Sequence, residues 1–190
     1  MAGGVADGVF IRVGTHAANI ATAVSAIRAG AAEAGRDPDQ VRLGAIFHTV
    51  LVDEPSRALA MARSLAAGYY EYSPALFAPP GLRWTGPDPE TLKRDRGVWP
   101  DFHHSPDLEA AGKVVDFLPV EAAMAFSLRG GPAEIAARLL EVLQAAPAPF
   151  EHVVLHPIPD PRWPADPELD YTARMAREVL PVVRRALEAG

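Results

Sequence analysis

Runs of apolar residues alternate with segments of helical periodicity along this chain. Three nearly continuous apolar runs, at residues 5–14, 41–52 and 151–156, predict strands. Runs of this kind are typical of parallel strands that are covered on both faces. The pattern therefore predicts about three parallel βα units, with the chain opening almost directly on a strand.

The segments between these runs repeat apolar residues every three or four positions, which predicts helices with one buried face. We expect six helices. The first covers residues 17–34, and the second begins after Asp53, which is expected to be its cap, with Pro55 in the first turn. The others are expected at residues 107–116, from Pro119, after Gly130-Gly131-Pro132, and from about Glu168 to Ala189. Gly35 is expected to end the first helix in the left-handed conformation. The closing helix should turn four residues inward: Met175, Val179, Val183 and Leu187.

Two segments break the pattern because they are rich in proline. Residues 71–106 hold seven prolines and predict a long irregular Pro-rich insertion, of the kind that forms lids or binding loops. A second Pro-rich turn follows the last strand, with Pro157, Pro159, Pro161, Pro164 and Pro167. Three βα units are fewer than the eight that close a barrel. We therefore expect one α/β domain over residues 1–190 that forms part of a (β/α)8 TIM barrel.

Composition and charge narrow the classes of partner. The net charge of −6 argues against nucleic acid or an anionic membrane as the main partner. The chain has no cysteine, which excludes disulfides, a thiolate nucleophile and a cysteine-based metal site. No apolar run approaches 18 residues, and the first residues carry no basic charge typical of a secretory signal. The cytoplasm is the expected location.

Histidines are the main candidates for chemistry. His152 and His156 lie four positions apart, but a strand would separate them by about 13 Å, so no joint metal site is expected. His156 alone lies at the carboxyl end of the last strand, where barrel enzymes place their chemistry. It is a candidate for the substrate pocket, or a hydrogen-bonded structural residue.

His103 and His104 are adjacent, so in extended chain their side chains would point to opposite sides and would not bind one ion together. They are expected to be solvated or to contact a ligand as part of a lid.

Other polar residues lie at the ends of predicted strands. Arg12, Thr15 and His16 cluster where the first strand turns into its helix. Arg12 is the only Lys, Arg, Asp or Glu residue among residues 8–16, so its charge needs a carboxylate, a phosphate or solvent. His48 is expected to be a core or barrel-lining residue rather than a catalyst. The turn at Gly130-Gly131 is interpreted as a helix entry, because neither GxGxxG nor GxxxxGK[ST] is present.

Several stretches together resemble the luciferase-like monooxygenases, the flavin- or deazaflavin-dependent oxidoreductases of the bacterial luciferase superfamily. The sixth unit of that barrel is similar to residues 6–9 and 27–38. The turn into its late helix is similar to residues 118–121 and 128–136. Its eighth strand is similar to residues 152–157, and its final helix to residues 177–181. Gly131 departs from the family, which often has threonine there. The resemblance spans essentially the whole chain.

The resemblance implies hydride transfer between a small organic substrate and a cofactor, either FMN or coenzyme F420, the deazaflavin. In the family the first five strands hold most of the cofactor. Because those strands are not seen here, no cofactor-binding residue is carried over, no catalytic residue is assigned and no metal ligand is expected. Five residues are expected to contact the substrate: Arg12, Thr15, His16, His156 and, reaching in from the loop, His104.

Several interpretations remain open at this point. As an enzyme, the chain is expected to be incomplete alone and to need a homodimer or a complementing N-terminal half-barrel chain. Alternatively, it is a non-catalytic half-barrel that binds a partner chain or a small apolar ligand. A gene fragment that folds poorly and a metal-dependent hydrolase on a barrel are further alternatives.

Overall fold

Four parallel strands form one sheet in the computed structural model, which describes residues 1–161 and 170–189. The strands are β1 (Gly8–Ile11), β2 (Arg42–Leu51), β3 (Leu128–Gly130) and β4 (His152–Pro157). The helices are α1 (Ala2–Val5), α2 (Ala17–Glu33), α3 (Pro55–Tyr72), α4 (Pro89–Arg96), α5 (Leu108–Val114), α6 (Val120–Phe126), α7 (Pro132–Ala145), α8 (Tyr171–Arg174) and α9 (Leu180–Glu188). Short 3-10 turns lie at Pro38–Gln40 and Pro74–Phe77, and a π-helical turn at Met175–Val179 joins α8 to α9.

Strand β2 is the centre of the sheet. Its residue Ala45 pairs with β1 and with β4, so those two strands lie on opposite edges of β2. Thr49 pairs in the same way with β3 and with β4. Strands β1 and β3 therefore follow one another along one edge, while β4 occupies the other edge. Among the described residues the sheet does not close on itself.

One face of this sheet is covered by helices. Side chains two positions apart on a strand share a face, and the face that includes Ile11, Ala45 and Phe47 belongs to the largest apolar cluster of the protein. Helices α2 and α7 and the C-terminal helix contribute the rest of that cluster. This packing explains why the apolar stripes of these helices could be seen in the sequence.

The opposite face of the sheet is open at its amino end. Phe10 lies 52% exposed there, with its ring against the backbone of Gly44, and Val154 is 42% exposed. Large apolar side chains on one continuous sheet face are normally covered. Towards the carboxyl ends of the strands the same face is covered by α3, which packs Met61 against Val50.

A second apolar cluster lies above the carboxyl ends of the strands. It joins α3, α5 and α6 to the segment at residues 73–106 through aromatic rings, including Phe77, Phe102 and Phe126. Phe126 stacks on Tyr69 of α3, with ring centres 4.7 Å apart. The segment between β2 and β3, with α3, α5, α6 and residues 73–106, therefore forms a helical cap over this end of the sheet.

The predicted strands and helices are largely confirmed, with differences at several ends. Residues 2–5 form a helical turn before β1, so the chain does not open directly on a strand. Strand β3, next to Gly131, was not expected. The cap of α3 is Glu54, whose carboxylate accepts the N–H groups of Ser56 and Arg57. The prediction of Asp53 as the cap is therefore wrong.

The Pro-rich insertion contains more regular structure than its sequence suggests. The 3-10 turn after Ser73 and helix α4 both lie within the segment expected to be irregular. Gly35 does adopt a positive φ of 70° at the end of α2, as predicted. In the closing helix Met175, Val179 and Val183 are buried as expected, but Leu187 is 52% exposed. The predicted start of that helix at Glu168, and Pro164 and Pro167 of the preceding turn, lie outside the described residues.

Candidate functional site

A cleft opens where β1, β2 and β4 end, beneath the helical cap. Its main lobe has a volume of about 460 Å³, and a neighbouring lobe has a volume of about 370 Å³. Both volumes lie in the range of small-molecule pockets. Four residues line both lobes: Arg12, His48, His103 and His104. Because these four residues are shared, the two lobes form one continuous cleft.

The floor of the cleft is an arginine–histidine pair. Arg12 follows β1, and its Nη2 donates a hydrogen bond to Nε2 of His48 on β2 over 2.6 Å. A guanidinium group has only donors, so Nε2 is the acceptor and the proton of the neutral imidazole lies on Nδ1. That Nδ1 is buried and has no hydrogen-bond partner among the described residues. Arg12 has no carboxylate within ion-pair distance in residues 1–161 and 170–189.

His48 is held in its neutral form at physiological pH. Burial is the largest cause and the positive charge of Arg12 the next, and together with the neighbouring histidines they lower the pKa of His48 to about 3. The ring lies 5.6 Å from that of Tyr69 and 5.3 Å from that of His156. His156 is opposite His48 in the pairing of β2 with β4. The neutral His48 therefore acts as a fixed acceptor that orients Arg12 in the cleft that His156 also lines.

A tight turn after Trp99 carries the second polar group of the cleft. Asp101 accepts hydrogen bonds through Oδ1 from the backbone N–H groups of His103 and His104, at 3.0 and 2.8 Å. Its Oδ2 accepts from Nδ1 of His104 at 2.8 Å and from the hydroxyl of Tyr72 at 3.0 Å. Burial raises the pKa of Asp101, but the hydrogen bonds from His104 and Tyr72 and the nearby His103 together outweigh that effect and hold the pKa below its ordinary value.

The outer wall of the cleft is an ion-pair network. Arg57 of α3 donates two hydrogen bonds to the buried carboxylate of Asp160, at 2.6 and 3.0 Å, and a third to Glu109 of α5 at 2.8 Å. Asp160 follows β4, so the network ties α3 and α5 to the loop beyond that strand. Because the guanidinium of Arg57 is occupied by two carboxylates, it fixes the shape of the cleft.

Three of the five residues predicted to contact a substrate lie together in the cleft. Arg12 forms its floor, and His104 and His156 line its walls. The structure does not bring Thr15 and His16 there. The Thr15 hydroxyl is buried and donates to the carbonyl of Met124 over 2.6 Å, and His16 caps α2 by accepting the N–H of Ala18.

Two histidines of the cleft were not predicted as site residues. His48 lines the cleft floor, in keeping with the expectation of a barrel-lining residue, and its position inside the predicted strand, four residues from the end of that strand, is the signal for it. His103 was expected in extended chain, pointing away from His104. The chain turns there instead, and the two rings lie with their centres 3.8 Å apart. The turn follows from Asp101, whose carboxylate caps the two following N–H groups.

The turn at Gly130-Gly131 enters α7, as the sequence indicated. Gly130 has a φ of 113°, which favours glycine, and the N–H of Gly131 donates to Glu134 Oε2 over 2.9 Å. The Glu134 carboxylate therefore lies where a phosphate would bind and would repel it. The described residues show no phosphate cradle at this turn.

Comparison with known proteins identifies the class to which this fold and site belong. The family model described as luciferase-like monooxygenase matches residues 1–148. The chain therefore belongs to the luciferase-like monooxygenase family, which confirms the resemblance seen in the sequence. No curated protein sequence matches the chain.

Solved structures of the same fold include enzymes of this kind. The coenzyme F420-dependent tetrahydromethanopterin reductase from Methanopyrus kandleri aligns at 20% identity with a TM-score of 0.55, covering 95% of this chain and 46% of that chain. An F420-dependent secondary alcohol dehydrogenase, in complex with an F420–acetone adduct, aligns at 14% identity with a TM-score of 0.55, covering 96% and 44%. A riboflavin lyase with modified FMN and riboflavin aligns at 22% identity with a TM-score of 0.50, covering 97% and 40%.

The chain spans less than half the length of these structures. The similarity establishes a mixed α/β fold with a parallel sheet, like that of the luciferase-like enzymes. Among the described residues, no helix has both the length and the apolar character needed to cross a bilayer.

Proposed function

We propose that this chain forms the substrate-side wall of a flavin- or deazaflavin-dependent oxidoreductase or monooxygenase, as part of a (β/α)8 barrel that further strands complete. The observation that carries the proposal is the open sheet face. Its exposed apolar residues, Phe10 and Val154, continue directly into the polar cleft at Arg12, His48 and His156. An apolar interior with polar groups at the carboxyl ends of the strands is the arrangement of barrel enzymes.

The cofactor enters the proposal through the family and its relatives. F420 serves the reductase and the alcohol dehydrogenase of the same fold, and the riboflavin lyase contains a modified FMN. Either cofactor would supply hydride transfer when bound. However, the described residues do not fit its phosphate tail, because Glu134 occupies the helix entrance and Arg57 is already paired with two carboxylates. The cofactor therefore has to be held mainly by strands outside this sheet.

The role of this chain is to bind and orient the substrate. Arg12 carries a permanent positive charge that no carboxylate neutralises among the described residues, so it is suited to a carbonyl or carboxylate oxygen. Because Nε2 of His48 accepts one of its N–H groups, the direction of the guanidinium is fixed. His156 and His104 also line the cleft and provide further hydrogen-bonding groups. The buried apolar residues Met61 and Leu65 help to exclude water.

The strands that complete the barrel are proposed to come from a second copy or from a complementing N-terminal half-barrel chain. The outer edges of β1, β3 and β4 have no strand partner among the described residues. Such edges offer unpaired N–H and C=O groups to another strand. The alternative, a non-catalytic half-barrel that binds a partner chain or an apolar ligand, shares this open face but makes no use of Arg12.

The test combines association with cofactor binding. The purified chain is measured by sedimentation over a wide concentration range and titrated with F420 and with FMN, followed by fluorescence. We expect concentration-dependent association and cofactor binding by the associated form. The Arg12→Ala variant should then weaken substrate use by about tenfold or more, the loss of one charge-assisted hydrogen bond. Arg42→Ala is the matched control, because Arg42 is an exposed arginine at the amino end of β2.

A stable monomer at every concentration that binds neither cofactor would refute the enzyme proposal and favour the non-catalytic half-barrel. Absence of a cooperative melt would instead favour a fragment. Equal losses in the Arg12 and Arg42 variants would refute the role of Arg12 while leaving the family fold intact.

A further inference from the structure

We propose that Asp101, His103 and His104 bind one divalent transition-metal ion, of the class of Zn²⁺ or Fe²⁺, at the wall of the cleft. One ligand atom from each of these three side chains lies within 4.8 Å of the other two. Two imidazoles and one carboxylate are a donor set that suits such ions and leaves coordination positions open. The proposal goes beyond the oxidoreductase function and does not depend on it.

The distances between the donor atoms are close to those of a metal site. Nδ1 of His104 lies 2.8 Å from Oδ2 of Asp101, and Nδ1 of His103 lies 3.1 Å from Oδ1. Around an ion with bonds of about 2.0–2.2 Å, tetrahedral ligand atoms stand roughly 3.3–3.6 Å apart. The His104 and Asp101 atoms therefore need to separate by about 0.5–0.8 Å and the His103 and Asp101 atoms by about 0.2–0.5 Å, with the ion taking the place of the proton between His104 and Asp101.

His103 provides a second, independent indication. Its Nδ1 is buried and, although it lies 3.1 Å from Asp101 Oδ1, it has no hydrogen-bond partner among the described residues. A buried polar nitrogen without a partner is costly. A metal ion removes this cost, because the nitrogen and the carboxylate oxygen would both donate lone pairs to it.

The backbone and a neighbouring tyrosine hold these donors in place. The two N–H groups that Asp101 accepts fix the turn, and the Tyr72 hydroxyl donates to its Oδ2 over 3.0 Å. Hydrogen bonds of this kind orient metal ligands in known sites. The ring of His103 packs directly against Gly68 of α3, where an added Cβ would overlap Nδ1 of His103. Residue 68 therefore sets the position of one ligand.

The open positions of the ion would face the cleft. His103 and His104 line both lobes, and Arg12 lies in the same cleft. A water molecule or an oxygen of the substrate can complete the coordination, with Arg12 placed to pair with a negative charge on that oxygen. This cleft would thus take ligands that carry an oxygen anion.

The test uses Co²⁺ as a spectroscopic probe and Zn²⁺ in calorimetry, both with the purified full chain and without flavin or deazaflavin. We expect one Co²⁺ per chain, with visible absorption of a low-coordinate site, and a higher Tm in the presence of Zn²⁺. His103→Ala, His104→Ala and Asp101→Asn should each weaken binding by at least about tenfold, as is usual when a metal site is perturbed. His152→Ala is the matched control, because this exposed histidine lies at the far end of β4 and should leave the affinity unchanged.

Gly68→Ala separates a built site from adventitious binding to surface histidines. The added methyl group displaces the His103 ring while all three ligands remain, so we expect weaker binding in a protein whose circular dichroism is unchanged. The proposal is overturned if the folded wild type takes up no Co²⁺ at equimolar concentration. It is also overturned if His152→Ala abolishes binding that the His103 and His104 variants retain.

Discussion

The buried neutral His48 makes the stability of this protein depend on pH. Its pKa is lowered from 6.5 to about 3 by burial and by Arg12, so the folded state resists protonation that the unfolded chain accepts. Stability therefore falls as the pH drops below about 6.5, and the loss is complete only near pH 3. At about 1.4 kcal/mol for each pH unit, lowering the pH from 7 to 5 should cost about 2 kcal/mol.

The assay is urea unfolding at pH 7 and pH 5 for the wild type and for His48→Gln. A glutamine oxygen can still accept from Arg12 but does not titrate in this range, so the variant should lose about 2 kcal/mol less than the wild type over the same pH change. The pKa values of His16 and His103 are also lowered, mainly by burial, so these two residues make the stability of both proteins fall as the pH drops. Only the difference between the two proteins in how stability changes with pH therefore reports on His48. Identical slopes would show that His48 is not held neutral in the folded protein.

Three further predictions concern the cleft and the helical cap above it. Asp160→Asn should destabilise the fold by about 3 kcal/mol in urea unfolding, because it leaves the largely buried guanidinium of Arg57 without its strongest partner; a change below 1 kcal/mol would contradict this. Phe126→Ala should cost about 3–5 kcal/mol, since its fully buried ring stacks on Tyr69, and Phe126→Leu should cost clearly less in the same calorimetric melt. His156→Ala should impair substrate use while the Tm stays nearly constant, and a variant that is merely less stable would refute the role of this exposed residue.

Strong local signals explain which elements were predictable. Strand β2 is ten residues long and mostly apolar, and α2 has a buried stripe and is followed by Gly35, so each could be located from nearby residues. Strand β3 has only three residues, which is too short for any periodicity. Its pairing with β2 joins residues that lie about 80 positions apart in the chain, and no local pattern predicts such contacts.

The site was predictable only in part, because it depends on turns and on which of two adjacent residues caps a helix. The apolar runs of β1 and β4 placed Arg12 and His156 at the carboxyl ends of strands. The position of His103 depends on a turn that one buried carboxylate stabilises, and adjacency alone suggested extended chain. Asp53 and Glu54 both precede a helix, but Asp53 pairs with the distant Arg174, which leaves the cap to Glu54.

The central position of β2 has a consequence for how the sheet unfolds. Every strand pairing among the described residues includes β2, and neither β1 nor β3 pairs with any other strand. The sheet therefore has no part that persists once β2 detaches, so its four strands should open as one cooperative unit. In native-state hydrogen exchange, the amides of β2 that bond to β1, β3 and β4 should consequently exchange together, at the rate set by global unfolding.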